Sequence, residues 1–171
     1  MNRIHVSVAA AATAVALGGA MAVSAARPDP ETLVLGGQPP AGYRDWRLIS
    51  IAHEEGDLND LRAILGNDVA IAAYRAGNVP FPDGTIIARL AWRHIPSDEN
   101  NRAFGRVQSY VAGAPTNVQF MVKDSRRFSS TGGWGFAQFT NGKRDALAAQ
   151  TCFACHLPAK ARDFVFTSFS P

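Results

Sequence analysis

The chain has 171 residues, of which 47% are hydrophobic and 18% charged, and its formal net charge is +3. This length predicts about one domain, and the high apolar and low charged fractions exclude wholesale disorder. Such a small basic excess is not typical of a nucleic-acid-binding protein.

The N-terminus predicts an export signal. A basic start with Arg3 precedes a stretch rich in Ala, Val, Leu and Gly up to Val23, and small residues then lead into a polar break at Arg27. This arrangement is typical of a cleaved signal peptide, here residues 1–26, and predicts a periplasmic mature protein. A membrane anchor is the alternative, but the stretch is shorter than the roughly 20 residues of a membrane span, and so are the other apolar runs.

Two regions follow the signal. Residues 27–42 are rich in proline and glycine and are predicted to form an irregular arm. Residues 43–171 are predicted to form a single domain of about seven strands and two short helices. The predicted strands are residues 43–52, 61–65, 85–93, 106–112, 117–123, 134–140 and 163–169.

The helices have local start and stop signals. One is predicted over residues 69–76, with Asn67 or Asp68 as N-cap and Gly77 as the stop. The other is predicted over residues 145–158, with Asp145 as N-cap. Residues 96–101 are predicted to be a loop. The fold class is therefore mainly β, within the α+β group.

Both cysteines lie in one motif near the C-terminus, Thr151-Cys152-Phe153-Ala154-Cys155-His156. The pattern C-x-x-C-H is the attachment signature of c-type haem. Two thiols one helical turn apart can add to the two vinyl groups on one edge of a porphyrin, and the next residue can then ligate the iron. We therefore predict one covalent haem c, with its iron bound by His156.

Other uses of the two cysteines fit this position less well. A thioredoxin-like redox pair usually lies between a strand and a helix near the start of its domain, whereas this motif lies near the end. A zinc site needs four ligands, and the chain has no further cysteine to complete one. A disulfide across only two intervening residues would be strained.

The second axial position of the iron decides between two functions. A six-coordinate electron carrier needs a second strong ligand, usually Met or His. After signal cleavage the candidates are Met121, His53 and His94, for which packing, a solvated turn and a strand end are the ordinary interpretations. The scarcity of ligands favours a five-coordinate iron with an open distal position. The six-coordinate electron-transfer cytochrome remains the alternative.

Six segments of the chain resemble, in the same order, motifs of the cytochrome P-460 family and its β-sheet relatives, the cytochromes c-prime-beta. They are Tyr43-Arg44-Asp45-Trp46, Phe81-Pro82-Asp83-Gly84-Thr85, Val122-Lys123-Asp124-Ser125-Arg126-Arg127-Phe128, Gly133-Trp134-Gly135-Phe136, Cys152-Phe153-Ala154-Cys155-His156 and Asp163-Phe164-Val165-Phe166-Thr167. The resemblance implies an antiparallel β fold with two or three short helices, the haem-attachment helix near the C-terminus, a five-coordinate iron and a homodimer. It also implies a small-molecule ligand, nitric oxide or hydroxylamine. If the chain is an enzyme, it implies a redox partner protein as well.

One position departs from the catalytic members of that family. Where they carry a lysine bonded to a porphyrin meso carbon, this chain has Arg89. Burial can lower the pKa of a lysine far enough for the amine to lose its proton and attack carbon, whereas a guanidinium keeps its proton up to about pH 12. The three lysines of the mature chain, Lys123, Lys143 and Lys160, lie elsewhere. We therefore predict no third covalent bond to the haem, which leaves open whether the chain is a hydroxylamine or nitric oxide oxidoreductase.

The resemblance also implies residues for the distal side of the haem. Arg89 is a candidate to hold a propionate or to donate to a ligand, with an ion pair to a carboxylate as the alternative. Gln138 lies in the stretch that supplies a proton-accepting carboxylate in some members, and a glutamine is a poor general base. Phe81 and Phe136 are candidates for an apolar lid over the iron or for the core. These residues suit the binding of a neutral diatomic molecule, and nitric oxide is the first candidate ligand.

Overall fold

The computed structural model describes residues 37–145 and 148–170, so the predicted signal peptide lies outside the described residues. In the described part, six strands form one antiparallel sheet in which each strand pairs with the next along the chain. They are β1 (Arg47–Glu54), β2 (Asp60–Gly66), β3 (Ile86–Pro96), β4 (Tyr110–Lys123), β5 (Trp134–Thr140) and β6 (Lys143–Arg144). The predicted mainly β architecture is confirmed.

Three α-helices accompany the described strands: α1 (Asp68–Ala76), α2 (Asp98–Phe104) and α3 (Ala148–His156). Short 3-10 helices span Tyr43–Asp45, Ser129–Thr131 and Leu157–Arg162. Helix α1 begins and ends as predicted, because the Asn67 side chain accepts from the Ala70 N–H at 3.0 Å and Gly77 is left-handed at φ 67°. The motif helix is predicted to begin at Asp145, but residues 146 and 147 lie outside the described residues, so the Asp145 cap stays a prediction.

The prediction of a loop over residues 96–101 is wrong, because α2 begins there. Ser97 caps this helix by accepting from the Asn100 N–H at 3.3 Å, and Gly105 ends it at φ 68°. None of its residues is buried, so it lacks the apolar periodicity by which longer helices are recognised. The caps were the available signal.

The two strands predicted over residues 106–112 and 117–123 are one strand, β4. Pro115 indicated a break, but it lies opposite Trp92, where the register with β3 shifts. A bulge accommodates a proline because the ladder already lacks a regular hydrogen bond there.

The strand predicted over residues 163–169 is also wrong. Asp163 and Phe164 adopt left-handed backbone angles, φ 52° and 63°, which turn the chain away from an extended path. The residues that follow form no ladder with the described sheet, although the Ser170 N–H donates to the Ile49 carbonyl at 2.8 Å.

Both faces of the sheet bury apolar side chains. Ile87 of β3 lies in a cluster with residues of α1 and the C-terminal segment, and Cys152 and Phe153 of α3 pack against this cluster. We call this side the helix-covered face. Ile86 and Leu90 lie on the other face, in a cluster packed against Tyr43 and Trp46. The sheet therefore separates two cores, and the cysteine motif lies over one of them.

Candidate functional site

Helix α3 presents the two cysteines of the motif. Cys152 and Cys155 are free thiols, with Cys152 half-buried and Cys155 exposed, and α3 packs against β5. Residues three apart lie on one side of a helix. Burial, and then the neighbouring Cys155, raise the pKa of the Cys152 thiol. The motif therefore offers two unoxidised thiols on one side of α3, as attachment to two vinyl groups requires.

His156, the last residue of α3, is prepared as a metal ligand. Its Nδ1 lies 2.7 Å from the Phe164 carbonyl oxygen. Because a carbonyl only accepts hydrogen bonds, Nδ1 carries the proton and Nε2 keeps its lone pair. Burial also lowers the pKa of His156, which favours the neutral imidazole. The hydrogen bond thus selects the tautomer that binds a metal through Nε2.

Aromatic rings surround this imidazole. The ring centroids of Phe136 and Phe166 lie 5.2 and 5.1 Å from that of His156. Phe153 lies 6.2 Å from Phe136 and 5.6 Å from Phe164 by the same measure. The structure therefore brings Phe136, one of the sequence-predicted residues, against the predicted axial ligand.

Phe81 lies in the same buried cluster but in a different part of it. Its ring centroid is 4.8 Å from that of Tyr74 and 5.9 Å from that of Trp134. Its backbone N–H donates to an Asp163 carboxylate oxygen at 2.8 Å. These contacts are those of a core residue, and a role for Phe81 as a lid stays a prediction.

Arg89 forms a buried ion pair on the helix-covered face. Its Nη2 lies 2.6 Å from Oδ2 of Asp60, whose side chain is only 4% exposed. Its Nη1 donates to the side-chain oxygens of Asn117 at 2.8 Å and Gln119 at 3.0 Å. Burial lowers the pKa of Arg89, as does the charge of Arg62, whereas Asp60 raises it. Of the roles left open for Arg89, the structure contains the ion pair.

The polar groups continue from Arg89 towards the motif. Arg89, Gln119 and Gln138 are directly opposite one another on β3, β4 and β5. Gln119 Nε2 donates to Gln138 Oε1 at 2.5 Å, and Gln138 Nε2 donates to Asp145 at 3.2 Å. We call Asp60, Arg89, Gln119 and Gln138 the polar row. The structure thus joins Arg89 and Gln138, two of the predicted residues, through Gln119.

The charge of Arg89, in the polar row, acts on one of the two cysteines, Cys152. The charges of Arg89 and Asp145 are close enough to the Cys152 thiol to affect its pKa, after burial and Cys155. The Nε of Arg89 is buried and has no hydrogen-bond partner among the described residues. A buried N–H without a partner is uncommon and points to a further acceptor at that place. Single-sequence analysis missed Asp60 and Gln119, because their position depends on strand register.

The other candidate iron ligands lie apart from α3 or within the core. The rings of His53 and His94 pack against each other, with centroids 3.9 Å apart and planes tilted by 39°, and each has a ring nitrogen 3.3 Å from Asn59 Oδ1 at the β1–β2 turn. His53 lies on β1 and His94 on β3, which are four and two strand spacings from β5, or about 19 and 10 Å. Met121 is buried opposite Phe136.

The three lysines are likewise accounted for. Lys123 is buried, with Nζ 2.8 Å from an Asp163 carboxylate oxygen, whereas Lys143 on β6 and Lys160 in the last 3-10 helix are exposed. Arg89, which the resemblance places at the cross-linking position, has Asp60 and two amides as neighbours. The haem with two thioether bonds stays a prediction.

Taken together, these residues fit a covalently bound haem: two free thiols on α3, an imidazole with Nε2 available, apolar rings around it, and a buried Nε–H of Arg89 that has no partner in the described part of the chain. Among the residues that the structure describes, no helix has the length and hydropathy that a membrane crossing requires.

Comparison with known proteins agrees with the site. A family model described as cytochrome P460 matches residues 40–167. No curated protein matches the chain. The matched range contains all six segments on which the resemblance was based.

Proposed function

Because the chain belongs to the cytochrome P460 family, whose members are mono-haem c-type cytochromes, we propose that it binds or converts a small nitrogen or oxygen ligand at a five-coordinate haem iron in the periplasm. Nitric oxide is the first candidate. The observation that carries this proposal is the supply of axial ligands. His156 is prepared through its Nδ1 hydrogen bond, whereas the rings of His53 and His94 pack against each other beside Asn59.

In the proposed site, Cys152 and Cys155 hold the haem through thioether bonds and His156 supplies the axial ligand. Haem iron with one axial position open supplies a binding site for diatomic molecules. Phe136 and Phe166 pack on the imidazole. The carbonyl of Phe164 holds the Nδ1 proton and so fixes the ring orientation.

The polar row supports ligand binding more than proton-coupled oxidation. A guanidinium and two amides can donate hydrogen bonds, but none of them readily accepts a proton. The carboxylate within the row, Asp60, is buried and already paired with two arginines, Arg62 at 2.7 Å and Arg89 at 2.6 Å. Hydroxylamine oxidation, which releases protons, therefore has weak support from these side chains.

The second candidate function is electron transfer by a six-coordinate haem, and Met121 is the observation that favours it. Its side chain is buried in the cluster that contacts α3, and its cross-strand neighbour Phe136 packs on His156. A thioether at this place would need to leave the core in order to reach the iron.

The absorption spectrum of the purified, dithionite-reduced protein tests both functions. A five-coordinate iron gives a high-spin ferrous spectrum that changes when carbon monoxide or nitric oxide is added. A sharp low-spin spectrum that carbon monoxide does not change would refute the proposal and support Met121 ligation. Met121→Leu is the matched variant, because only in the second case does it convert the spectrum to high spin.

The periplasmic location and a homodimer are parts of the same proposal. The signal-like N-terminus supports export, and β1 supports self-association because it is an edge strand with exposed Leu48 and Ile51. Mass spectrometry of the mature N-terminus tests cleavage near residue 26, and light scattering of the haem-loaded protein tests the dimer. A monomeric mass would refute the homodimer, and an uncleaved N-terminus would refute export by a cleaved signal peptide.

A further inference from the structure

We propose that the buried ion pair between Lys123 and Asp163 positions the axial histidine, an inference that rests on the proposed function. Lys123 ends β4, and Asp163 follows the 3-10 helix that continues from the haem motif. The Lys123 Nζ lies 2.8 and 2.9 Å from the two oxygens of Asp163. Their side chains are 6% and 7% exposed, so the pair is enclosed by protein.

Both charges have further partners that fix their positions. Lys123 Nζ also donates to the Gly132 carbonyl at 3.0 Å and lies 5.0 Å from the ring centroid of Trp134. Asp163 Oδ2 also accepts from the Phe81 N–H at 2.8 Å. Because buried charges are costly unless they are fully paired, such a network has one favoured arrangement. It ties the segment after the motif to β4 and to the turn before β5.

The arrangement controls an unusual turn. Asp163 and Phe164 are consecutive non-glycine residues with left-handed angles, φ 52° and 63°, which persist only where the surroundings hold them. The backbone N–H of Phe164 donates to the Ala159 carbonyl at 3.0 Å. The carbonyl of Phe164 then accepts the Nδ1–H of His156 at 2.7 Å. The carbonyl that orients the imidazole therefore belongs to the residue directly after the ion-paired Asp163.

The Phe164 ring is held by the same network. Its edge lies against Gly132, where a Cβ would overlap the ring, and Gly132 itself has φ +68°. Lys123 bonds the carbonyl of this glycine. The ammonium group of Lys123 thus fixes two neighbours of Phe164: Asp163, which precedes it in the chain, and Gly132, which lies against its ring. Lys123 and Asp163 lie in two of the segments that carry the family resemblance, which implied no role for either residue. The proposed role is to position His156.

The expected chemical effect is on the imidazole. A hydrogen bond from Nδ1–H to a carbonyl makes the ligating nitrogen a stronger donor, and such outer contacts tune iron potentials. A stronger donor stabilises the ferric state and lowers the reduction potential. Lys123 and Asp163 are therefore positioning residues, because they act on His156 only through Phe164.

The test compares haem-loaded wild type with Lys123→Met/Asp163→Asn. This double variant keeps the net charge, so a change in potential cannot come from an added or lost charge. We expect a more positive reduction potential and a lower-frequency iron–imidazole stretching band in the ferrous resonance Raman spectrum. The control, Arg47→Met/Asp68→Asn, removes an exposed ion pair with side chains 52% and 94% exposed. It is expected to leave both values unchanged.

A folded, haem-loaded double variant with wild-type potential and wild-type band would overturn the proposal and make the pair a stability element only. If the double variant does not fold, Asp163→Asn serves instead, because asparagine tolerates left-handed angles and keeps an acceptor for the Phe81 N–H. Its readout is the iron–imidazole band, which is expected to move to lower frequency, because the loss of one negative charge would raise the potential by itself. A low-spin wild type would refute the proposed function but not this inference, because the potential is measurable in either coordination state.

Discussion

Removal of the Asp60 carboxylate is the most demanding test of the polar row. Asp60 accepts from Arg62 Nε at 2.7 Å and from Arg89 Nη2 at 2.6 Å. The side chains of both arginines are 15% exposed, so Asp60→Ala leaves two largely buried positive charges without their common partner. Breaking a buried ion pair by removing one partner typically costs about 3–5 kcal/mol.

We expect the lower end of that range here, about 3 kcal/mol. Arg62 keeps an ion pair to Glu54 at 3.0 Å, and Arg89 keeps hydrogen bonds to Asn117 and Gln119. For a domain of this size, the loss corresponds to a Tm lower by about 10 °C.

Guanidinium unfolding of the haem-loaded protein, followed by circular dichroism, measures the change. The m-value is expected to stay constant while the midpoint falls. Asp68→Ala is the matched control, because it removes the carboxylate of the exposed pair with Arg47 and is expected to cost less than about 1 kcal/mol. An Asp60→Ala variant that lost no more free energy of unfolding than this control would refute the reasoning.

Three further predictions concern the haem site. Mass spectrometry of the haem peptide is expected to show bonds from the haem to Cys152 and Cys155 alone. A bond to any other residue would contradict the prediction that Arg89, at the cross-linking position, leaves the haem without a third covalent bond. Met121→Leu is expected to leave the reduced spectrum unchanged and to cost less than about 1.5 kcal/mol, as chemical unfolding would measure; a switch from low to high spin would identify Met121 as a ligand. Gly132→Ala is expected to cost more than about 1 kcal/mol and to reduce the haem content per purified chain, because φ +68° is unfavourable for alanine and its Cβ would overlap Phe164; wild-type stability and haem content would contradict the packing described.

The parts of the fold that could be predicted are those with local causes. Helix α1 has its cap, apolar face and stop within about ten residues, and β5 is a short, mostly apolar run between two glycine-containing turns. The haem motif is local too, because the spacing of Cys152, Cys155 and His156 follows from the porphyrin and one helical turn. The sequence alone was sufficient for these features.

The parts that could not be predicted depend on distant partners. Asp60 and Arg89 are 29 residues apart, and Lys123 and Asp163 are 40 apart, so strand register and the path of the C-terminal segment bring them together. The left-handed angles at Asp163 and Phe164 are held by that path, and without it the segment has the composition of a strand. Pro115 gave the opposite error, since tertiary pairing turned an apparent break into a bulge.

The strand order also has a consequence for how the protein matures. Every described ladder joins strands that are consecutive in the sequence, so the sheet can assemble one hairpin at a time from its N-terminal side. The thiols that capture the porphyrin follow all six described strands. We therefore expect a Cys152→Ser/Cys155→Ser chain to retain slow amide exchange in β2 to β4, and rapid exchange there would show that tetrapyrrole capture must come first. In that order of events, the thioether bonds form after the β-sheet has folded.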